Sequence, residues 1–133
     1  MKNDMIRDLT KAEEQVMQIL WNVNESIVRD LVDQFPDPKP AYNTVSTVLR
    51  VLEKKDFVNH KAYGTTYVYF PLVSKKEYSN FQFTNLIKNY FNGSFPKMAA
   101  FFAKENNLSI QELEEMMDMA KKELKNEDEH DKS

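Results

Sequence analysis

The 133-residue sequence contains no cysteine, two glycines and two histidines, and each scarcity excludes a class of site. Without cysteine, neither a disulfide framework nor a thiolate metal site can form, which fits a reducing compartment. Gly64 and Gly93 are too few for a glycine-rich phosphate-binding loop. His60 and His130 lie far apart and have no cysteine beside them to complete a metal site. We therefore predict no catalytic residue, no cofactor and no metal, and an enzyme is not expected.

Long apolar runs are also missing. No stretch approaches the roughly 18 apolar residues of a membrane span. The N-terminal sequence MKNDMIRD lacks the apolar core of a signal peptide. A cytoplasmic protein without membrane insertion is therefore expected. The hydrophobic fraction of 41%, with six tyrosines and nine phenylalanines, suffices for a core and leaves apolar side chains for a partner interface.

The stretch AYNTVSTVLRVLEKKD, from Ala41 to Asp56, predicts an amphipathic helix. Its apolar positions recur at the spacing i, i+3, i+4 and i+7, at Val45, Val48, Leu49 and Leu52. The opposite face carries Asn43, Thr47, Arg50 and Lys54, with Ser46 at its edge. Amide, hydroxyl and cationic side chains can bind base edges and phosphates in a DNA major groove. Because any surface helix is polar outside, the flanking segments decide whether this face is an ordinary solvated one.

Two further helices are predicted before this stretch. The first runs from Thr10 to Val23, opens with a capping box to Glu13, and places Trp21 in the core. The second has Ser26 as its N-cap and ends at Pro36. A segment with three prolines in five residues then leads into the central helix. Two helices joined by a turn in this order predict a helix-turn-helix.

After Asp56 the apolar period changes from 3.6 to 2, which predicts a β-hairpin. Its strands are expected at Phe57–Ala62 and Thr66–Phe70, joined by Tyr63-Gly64-Thr65. A hairpin that directly follows the central helix, Ala41 to Asp56, is the wing of a winged helix. In that fold Lys61 and the loop threonines can contact the DNA backbone. The segment between Lys39 and Tyr63 carries five cations and two anions, although the whole chain has a net charge of -3. A local basic patch suffices for DNA if a dimer presents it twice.

Three more helices are predicted from Ser74 onward. Ser74 with Glu77 and Ser109 with Glu112 form capping boxes, and Ser94 opens a helix between them. These helices have apolar faces but no evident core of their own, which favours burial against a second copy of the chain. The residues predicted at the dimer interface are Phe83, Leu86, Ile87, Tyr90, Phe91, Phe101, Phe102, Leu113, Met116, Met117 and Ala120.

The predicted fold class is mainly α with a small β-hairpin. We expect a winged helix-turn-helix domain in residues 1–73 and a helical dimerisation region in residues 74–125. The charged residues 126–133 are expected to be a disordered tail.

Three segments carry a family resemblance: LTKAEEQVMQILW (Leu9 to Trp21), AYNTVSTVLRVLEKKDFVNHK (Ala41 to Lys61) and YVYFPLVS (Tyr67 to Ser74). In order and spacing the chain resembles the penicillinase-repressor (BlaI/MecI/CopY) family over nearly its whole length. The resemblance implies a homodimeric winged-helix repressor of a palindromic operator. It also implies control by a membrane sensor-protease that responds to β-lactams, and hence a role in antibiotic resistance. The implied recognition-helix contacts are Asn43, Thr44, Ser46, Thr47 and Arg50.

The sequence departs from the family pattern in two ways. Repressors cut by the sensor pathway often carry Asn-Phe at the cleavage point, where this chain has Phe101 and Phe102. The copper-responsive branch carries a cysteine-rich C-terminal motif, which the absence of cysteine excludes here.

Two functions follow as hypotheses: a dimeric repressor that binds double-stranded operator DNA, and a winged-helix protein-interaction module without sequence-specific DNA binding. The net charge of -3 slightly favours the second. The residues predicted to contact DNA are Tyr42, Asn43, Thr44, Ser46, Thr47, Arg50, Lys54, Lys61 and Thr65.

Overall fold

A computed structural model describes residues 6–131 of the chain, and the side chains of residues 6–128. Within this range the chain forms six helices and one two-stranded antiparallel sheet, so the predicted fold class is confirmed. The elements in order are α1 (Lys11–Val23), α2 (Val28–Asp33), α3 (Tyr42–Lys54), β1 (Val58–Tyr63), β2 (Thr66–Pro71), α4 (Lys75–Phe91), α5 (Phe95–Glu105) and α6 (Ile110–Asp131).

The start of α1 is fixed by the predicted capping box and by an ion pair. Thr10 Oγ1 accepts a hydrogen bond from the Glu13 amide at 3.2 Å, and Glu13 Oε1 accepts one from the Thr10 amide at 2.8 Å. Both carboxylate oxygens of Glu13 also accept bonds from Lys55 Nζ, at 2.8 and 2.9 Å. Lys55 caps the C-terminus of α3. The buried Glu13 side chain therefore ties the beginning of α1 to the end of α3.

The predicted N-cap of α2 is wrong, because Ser26 pairs with the hairpin instead. Its amide donates to the Tyr69 carbonyl at 2.9 Å, and the Tyr69 amide donates to the Ser26 carbonyl at 2.8 Å. The N-cap is Ile27, whose carbonyl accepts a hydrogen bond from Ser26 Oγ. Strand pairing with a residue far along the chain thus delays the start of α2 to Val28.

The apolar stripe of α3 is the centre of the core, as its spacing predicts. Val45, Leu49 and Leu52 are fully buried, together with Phe57 just beyond the helix. The Phe57 amide donates to the Leu52 carbonyl at 2.9 Å, while Asp56 adopts a positive φ of 63°. This hydrogen bond across a left-handed residue ends α3 and turns the chain into β1.

The hairpin forms where predicted, but its connection is shorter than predicted. Tyr63 pairs with Thr66 at the tip, so only Gly64 and Thr65 join the strands, and Gly64 has the positive φ of 63° that the tight turn requires. In the register of the two strands, His60 lies opposite Tyr69.

The first part of α4 belongs to the winged-helix core, because Tyr78 is buried there. Its hydroxyl accepts a hydrogen bond from the Leu9 amide at 3.0 Å, and its ring lies 5.9 Å from that of Trp21 and 5.7 Å from that of Phe57. The chain divides into two compact units between residues 85 and 86. This division lies within α4, whereas the sequence predicted a boundary at 73/74.

The second unit contains the end of α4 and the helices α5 and α6. Ser94 caps α5, and Ser109 with Glu112 forms the predicted capping box before α6. The helix α6 runs to Asp131, whereas the sequence predicted a disordered tail from residue 126. Its last turns are rich in lysine and glutamate, which have high helix propensity, and contain neither glycine nor proline. The last two residues of the predicted tail lie outside the described range.

The ion pair of Glu13 with Lys55 makes stability depend on pH. Burial alone would raise the pKa of Glu13, but the hydrogen bonds from Lys55 and Thr10 outweigh it and hold this pKa below its ordinary value of 4.5. The stabilisation is therefore complete above pH 4.5 and is lost as the pH falls through the lower pKa of the folded state.

We predict that Glu13→Gln lowers the free energy of unfolding near neutral pH by about 1–3 kcal/mol, because Lys55 loses its charged partner. The difference in unfolding free energy between wild type and variant should shrink as the pH falls below the ordinary carboxyl pKa. Urea unfolding curves at several pH values measure both effects. Glu14→Gln, at the neighbouring carboxylate of α1, is the matched control. An unfolding free-energy difference that stays constant down to strongly acidic pH would contradict a stabilising ion pair between Glu13 and Lys55.

Candidate nucleic-acid interface

The polar face of α3 consists of two adjacent stripes rather than one. At about 100° per residue, Asn43, Thr47 and Lys54 fall on one arc, and all three are exposed. Tyr42, Ser46, Arg50 and Glu53 fall on the next arc, which turns toward the hairpin. Arg50 lies where the two stripes meet. The helix therefore presents amide, hydroxyl and cationic groups outward and a second set of polar groups sideways.

The second stripe forms one wall of a concave space of about 670 Å³, here called the groove. The start of α2 and the hairpin, here called the wing, form the other walls. The lining residues are Ile27, Val28, Arg29, Tyr42, Ser46, Arg50, Glu53, His60, Thr65, Thr66, Tyr67 and Tyr69. Helix, wing and the preceding helix thus share one surface that a ligand can span.

Ser46, predicted at the edge of the polar face, lies within the groove. Its residue is only 9% exposed, and its Oγ accepts a hydrogen bond from Arg50 Nη2 at 3.3 Å. The periodicity places Ser46 at the edge of the polar face, and in the structure this edge turns into the groove. Its hydroxyl therefore orients Arg50 from within the groove and is not presented outward to DNA.

The other predicted contacts on α3 and the wing are exposed. Tyr42 and Thr44 lie in the first turn of α3, and Lys61 and Thr65 lie in the outer half of the wing. The Lys61 ammonium lies 5.8 Å from the centre of the Phe70 ring, a favourable position for a cation over an aromatic face. Thr65 lines the groove, so the structure brings this loop residue and Arg50 to the same surface.

Eight of the lining residues were not predicted as site residues, and among them Arg29, Glu53, His60 and Tyr67 carry charged or aromatic polar side chains. Arg29 is exposed on the second residue of α2. Arg29 lines the groove because of the position at which α2 crosses α3, and the periodicity of a single helix does not predict that position. His60 Nδ1 lies 2.5 Å from Glu53 Oε1, and its ring stacks on Tyr67 at 4.2 Å. The available signal was a carboxylate near the end of α3 followed by a histidine in the next strand.

The groove is polar and carries more positive than negative charge, since Arg29 and Arg50 face one carboxylate, that of Glu53. Burial raises the pKa of the Tyr69 phenol, and the Glu53 carboxylate raises it further. The Tyr69 hydroxyl is therefore neutral at physiological pH. The two arginines give this surface a local attraction for phosphate groups.

The residues predicted at a dimer interface are exposed or half-buried. Tyr90 is 75% exposed and Phe101 is 54% exposed. Within the second unit, Phe91 lies 5.5 Å from Phe101 between ring centres. An open apolar depression of about 650 Å³ is lined by Leu86, Tyr90, Phe91, Lys97 and Phe101. The predicted cleavage pair, Phe101 with Phe102, lies within α5 and is exposed.

In the described part of the chain, none of the helices is both long and apolar enough to cross a membrane.

Comparison with known proteins gives a consistent result. The family model described as penicillinase repressor matches residues 9–122. The penicillinase repressor of Bacillus licheniformis is 28% identical over 116 residues, covering 84% of this chain and 88% of that protein. The methicillin resistance regulatory protein MecI of Staphylococcus aureus (strain N315) is 24% identical over 116 residues, covering 86% of this chain and 94% of that protein.

Among solved structures, the DNA binding domain of the repressor BlaI matches with a TM-score of 0.47 and 25% sequence identity. The match covers 53% of this chain and 88% of that chain.

Proposed function

The chain belongs to the penicillinase repressor family, and from this membership we propose that it is a dimeric transcriptional repressor that binds a palindromic DNA operator. Members of the family are transcriptional repressors and not enzymes. We place the protein in the cytoplasm, where it has access to DNA.

One observation supports DNA binding above all: α3 exposes a cationic and hydrogen-bonding stripe directly beside a wing with its own exposed Lys61. An α-helix with its side chains is about 10–12 Å across, which matches the roughly 12 Å width of the DNA major groove. A helix in that groove brings the wing against the adjacent sugar-phosphate backbone.

The side chains of α3 differ in what they can read. Arg50 offers a planar pair of donors that suits the two acceptors of guanine, while Asn43 suits adenine. Thr47 can bond to several bases, and Lys54 and Lys61 suit phosphates because an ammonium is a point charge. Thr65 adds a hydroxyl donor to the backbone. We assign sequence reading to Arg50, Asn43 and Thr47 and positioning to the lysines.

Dimerisation is the second part of the proposal. Tyr90, Phe101 and Met117 are large apolar residues exposed in the second unit, and a second copy of the chain would cover them. Two copies related by a two-fold axis match a palindrome, with half-sites about one helical turn or a multiple apart.

The inducing signal is the third part. The relatives are named for penicillinase and for methicillin resistance, which supports release of the repressor in response to a β-lactam through a membrane sensor-protease. Phe101 and Phe102 are exposed, but they lie inside α5, so a protease must first unwind at least one turn of this helix.

The alternative is a protein-interaction module that does not read DNA sequence. The observation in its favour is the net charge of -3, which weakens any general attraction to DNA. Binding to unrelated and to cognate DNA with equal affinity, or to neither, would favour this alternative.

We predict that the protein binds DNA from directly upstream of its own gene with an affinity that falls steeply with salt, by a slope of about 0.9 per phosphate contact. Arg50→Ala should weaken binding to this duplex by about 1–3 kcal/mol and binding to an unrelated duplex by less. Lys54→Ala should weaken both equally. Fluorescence anisotropy titrations across salt measure these quantities.

Lys104→Ala is the matched control, because Lys104 is an exposed cation on α5 and lies in neither stripe of α3. A salt-independent affinity of the wild-type protein would contradict the DNA-binding proposal. Equal loss on both duplexes for Arg50→Ala would make Arg50 a phosphate contact.

We predict that Tyr90→Asp converts the protein from a dimer to a monomer, because the variant places a charge in the centre of the apolar surface. Since Tyr90 is so exposed in the single chain, the helical content should stay unchanged. Sedimentation equilibrium measures the mass. The control Asn89→Asp adds the same charge at the adjacent exposed residue and should remain dimeric; a dimeric Tyr90→Asp variant would contradict the proposed surface.

We predict that cells treated with a β-lactam contain an N-terminal fragment of the protein that ends at or next to Phe101. Immunoblotting detects the fragment, and mass spectrometry defines its end. Replacing both Phe101 and Phe102 by aspartate should leave the chain uncut. Induction of the regulated gene without any fragment would contradict the proteolytic route.

A further inference from the structure

The base of the wing is attached to two helices at one rung of the hairpin. In this rung His60 lies opposite Tyr69. The Tyr69 main chain is bonded in both directions to Ser26, just before α2. On the other strand, His60 Nδ1 is hydrogen-bonded to Glu53 Oε1 of α3. Both strands of the hairpin are therefore held at the same height, one by a main-chain bridge and one by a side-chain contact.

The part of the wing beyond this rung carries Lys61 and Thr65, the two predicted DNA contacts of the wing. Three further residue pairs follow, from Lys61 with Val68 to Tyr63 with Thr66 at the tip. At roughly 3.3 Å per residue, this outer part is about 10 Å long. A rotation of about 20° at its base would move the tip by about 3–4 Å, which is enough to break a hydrogen bond to a phosphate. The angle at His60 therefore decides whether the tip of the wing reaches the DNA backbone.

The His60 side chain is held in one orientation. Its ring stacks on that of Tyr67 at 4.2 Å with an interplanar angle of 19°, and its centre lies 5.4 Å from that of Tyr69. Because a carboxylate can only accept hydrogen bonds, Nδ1 of His60 must carry the hydrogen of the bond to Glu53. The stacking and the hydrogen bond together specify the position of the imidazole.

Glu53 is the negatively charged residue among those that line the groove, beside Arg50. A bare carboxylate here would repel an approaching phosphate. The N–H group of His60 covers one of its oxygens. The same contact thus holds the wing and reduces the repulsion that Glu53 would otherwise exert.

We propose that His60 and Glu53 are positioning residues for DNA binding, which hold the wing against α3 at the angle at which Lys61 and Thr65 reach the DNA backbone. This role rests on the proposed function of the same surface and adds two residues that do not themselves need to touch DNA.

The first experiment compares two variants that remove the same charge. Glu53→Ala removes the carboxylate and the acceptor for His60, whereas Glu53→Gln removes the charge and keeps an acceptor. We expect Glu53→Ala to weaken binding to the upstream duplex by about fivefold to tenfold, the effect of about one lost phosphate contact. Glu53→Gln should bind as tightly as the wild type or more tightly. Asp30→Ala removes an exposed carboxylate of α2 outside the groove and is the control for charge alone.

A purely electrostatic role for Glu53 predicts the opposite result, because both substitutions would then strengthen DNA binding. If the Glu53→Ala variant binds the upstream duplex at least as tightly as the wild type, the proposal is wrong. Since the Glu53 side chain is partly exposed, neither substitution should prevent folding, and thermal unfolding followed by circular dichroism checks this.

The second experiment tests whether His60 acts through the wing tip. His60→Ala and Lys61→Ala should each lower the slope of log affinity against log salt by about one, and the double variant should lower it by no more than Lys61→Ala alone. His60→Asn keeps a donor near the position of Nδ1 and should restore most of the affinity. Additive losses in the double variant would mean that His60 contacts a phosphate itself, which would overturn the positioning role.

The two proposals fail in different ways. If the wild-type protein shows no salt-dependent binding to DNA, the proposed function and the positioning role are both wrong. If the wild type binds and the Glu53 and His60 variants bind like it, the positioning role alone is wrong.

Discussion

The termination of α3 is the constraint on which the rest of the structure depends. The hydrogen bond from the Phe57 amide to the Leu52 carbonyl, with Asp56 at positive φ, ends the helix and sends the chain directly into the wing. The Phe57 side chain is then fully buried and lies against Tyr78 of α4. Lys55, in the same turn, reaches back to Glu13 of α1. One turn of backbone thus connects α3 to the wing, to α1 and to the start of α4.

This arrangement explains how an acidic protein can present a basic surface. In the segment between Lys39 and Tyr63, Arg50 and Lys54 lie on α3 and Lys61 lies on the wing, while many of the acidic residues of the chain lie on α6. The other two cations are paired within the protein, Lys55 with Glu13 and Lys39 with Asp33. The outward charge is therefore carried by Arg50, Lys54 and Lys61, and its effect is local because screening in salt limits it to about 10 Å.

Much of the fold could be predicted from the sequence because its signals are local. The apolar stripe of α3, the Gly64 turn and the capping boxes each depend on residues a few positions apart, and all were confirmed. The errors came from contacts between distant residues. Ser26 pairs with Tyr69 instead of capping a helix, and Ser46 is buried where α3 turns into the groove. Residues such as Arg29 and His60 enter the candidate site only because the crossing of α2, α3 and the wing brings them there.

The helix α4 begins in the first unit, where Tyr78 accepts the hydrogen bond of the Leu9 amide, and ends in the second. Leu9, Trp21 and Phe57, which contact Tyr78, all precede the division at residues 85 and 86. Under the proposed dimerisation, a chain cut within α5 would keep the whole first unit and would lose the second copy that makes binding bivalent. Linking two binding sites can raise avidity by 10²–10⁴ without any new contact. Release from an operator would then result from going from two linked binding sites to one, while α3 of each copy stays folded.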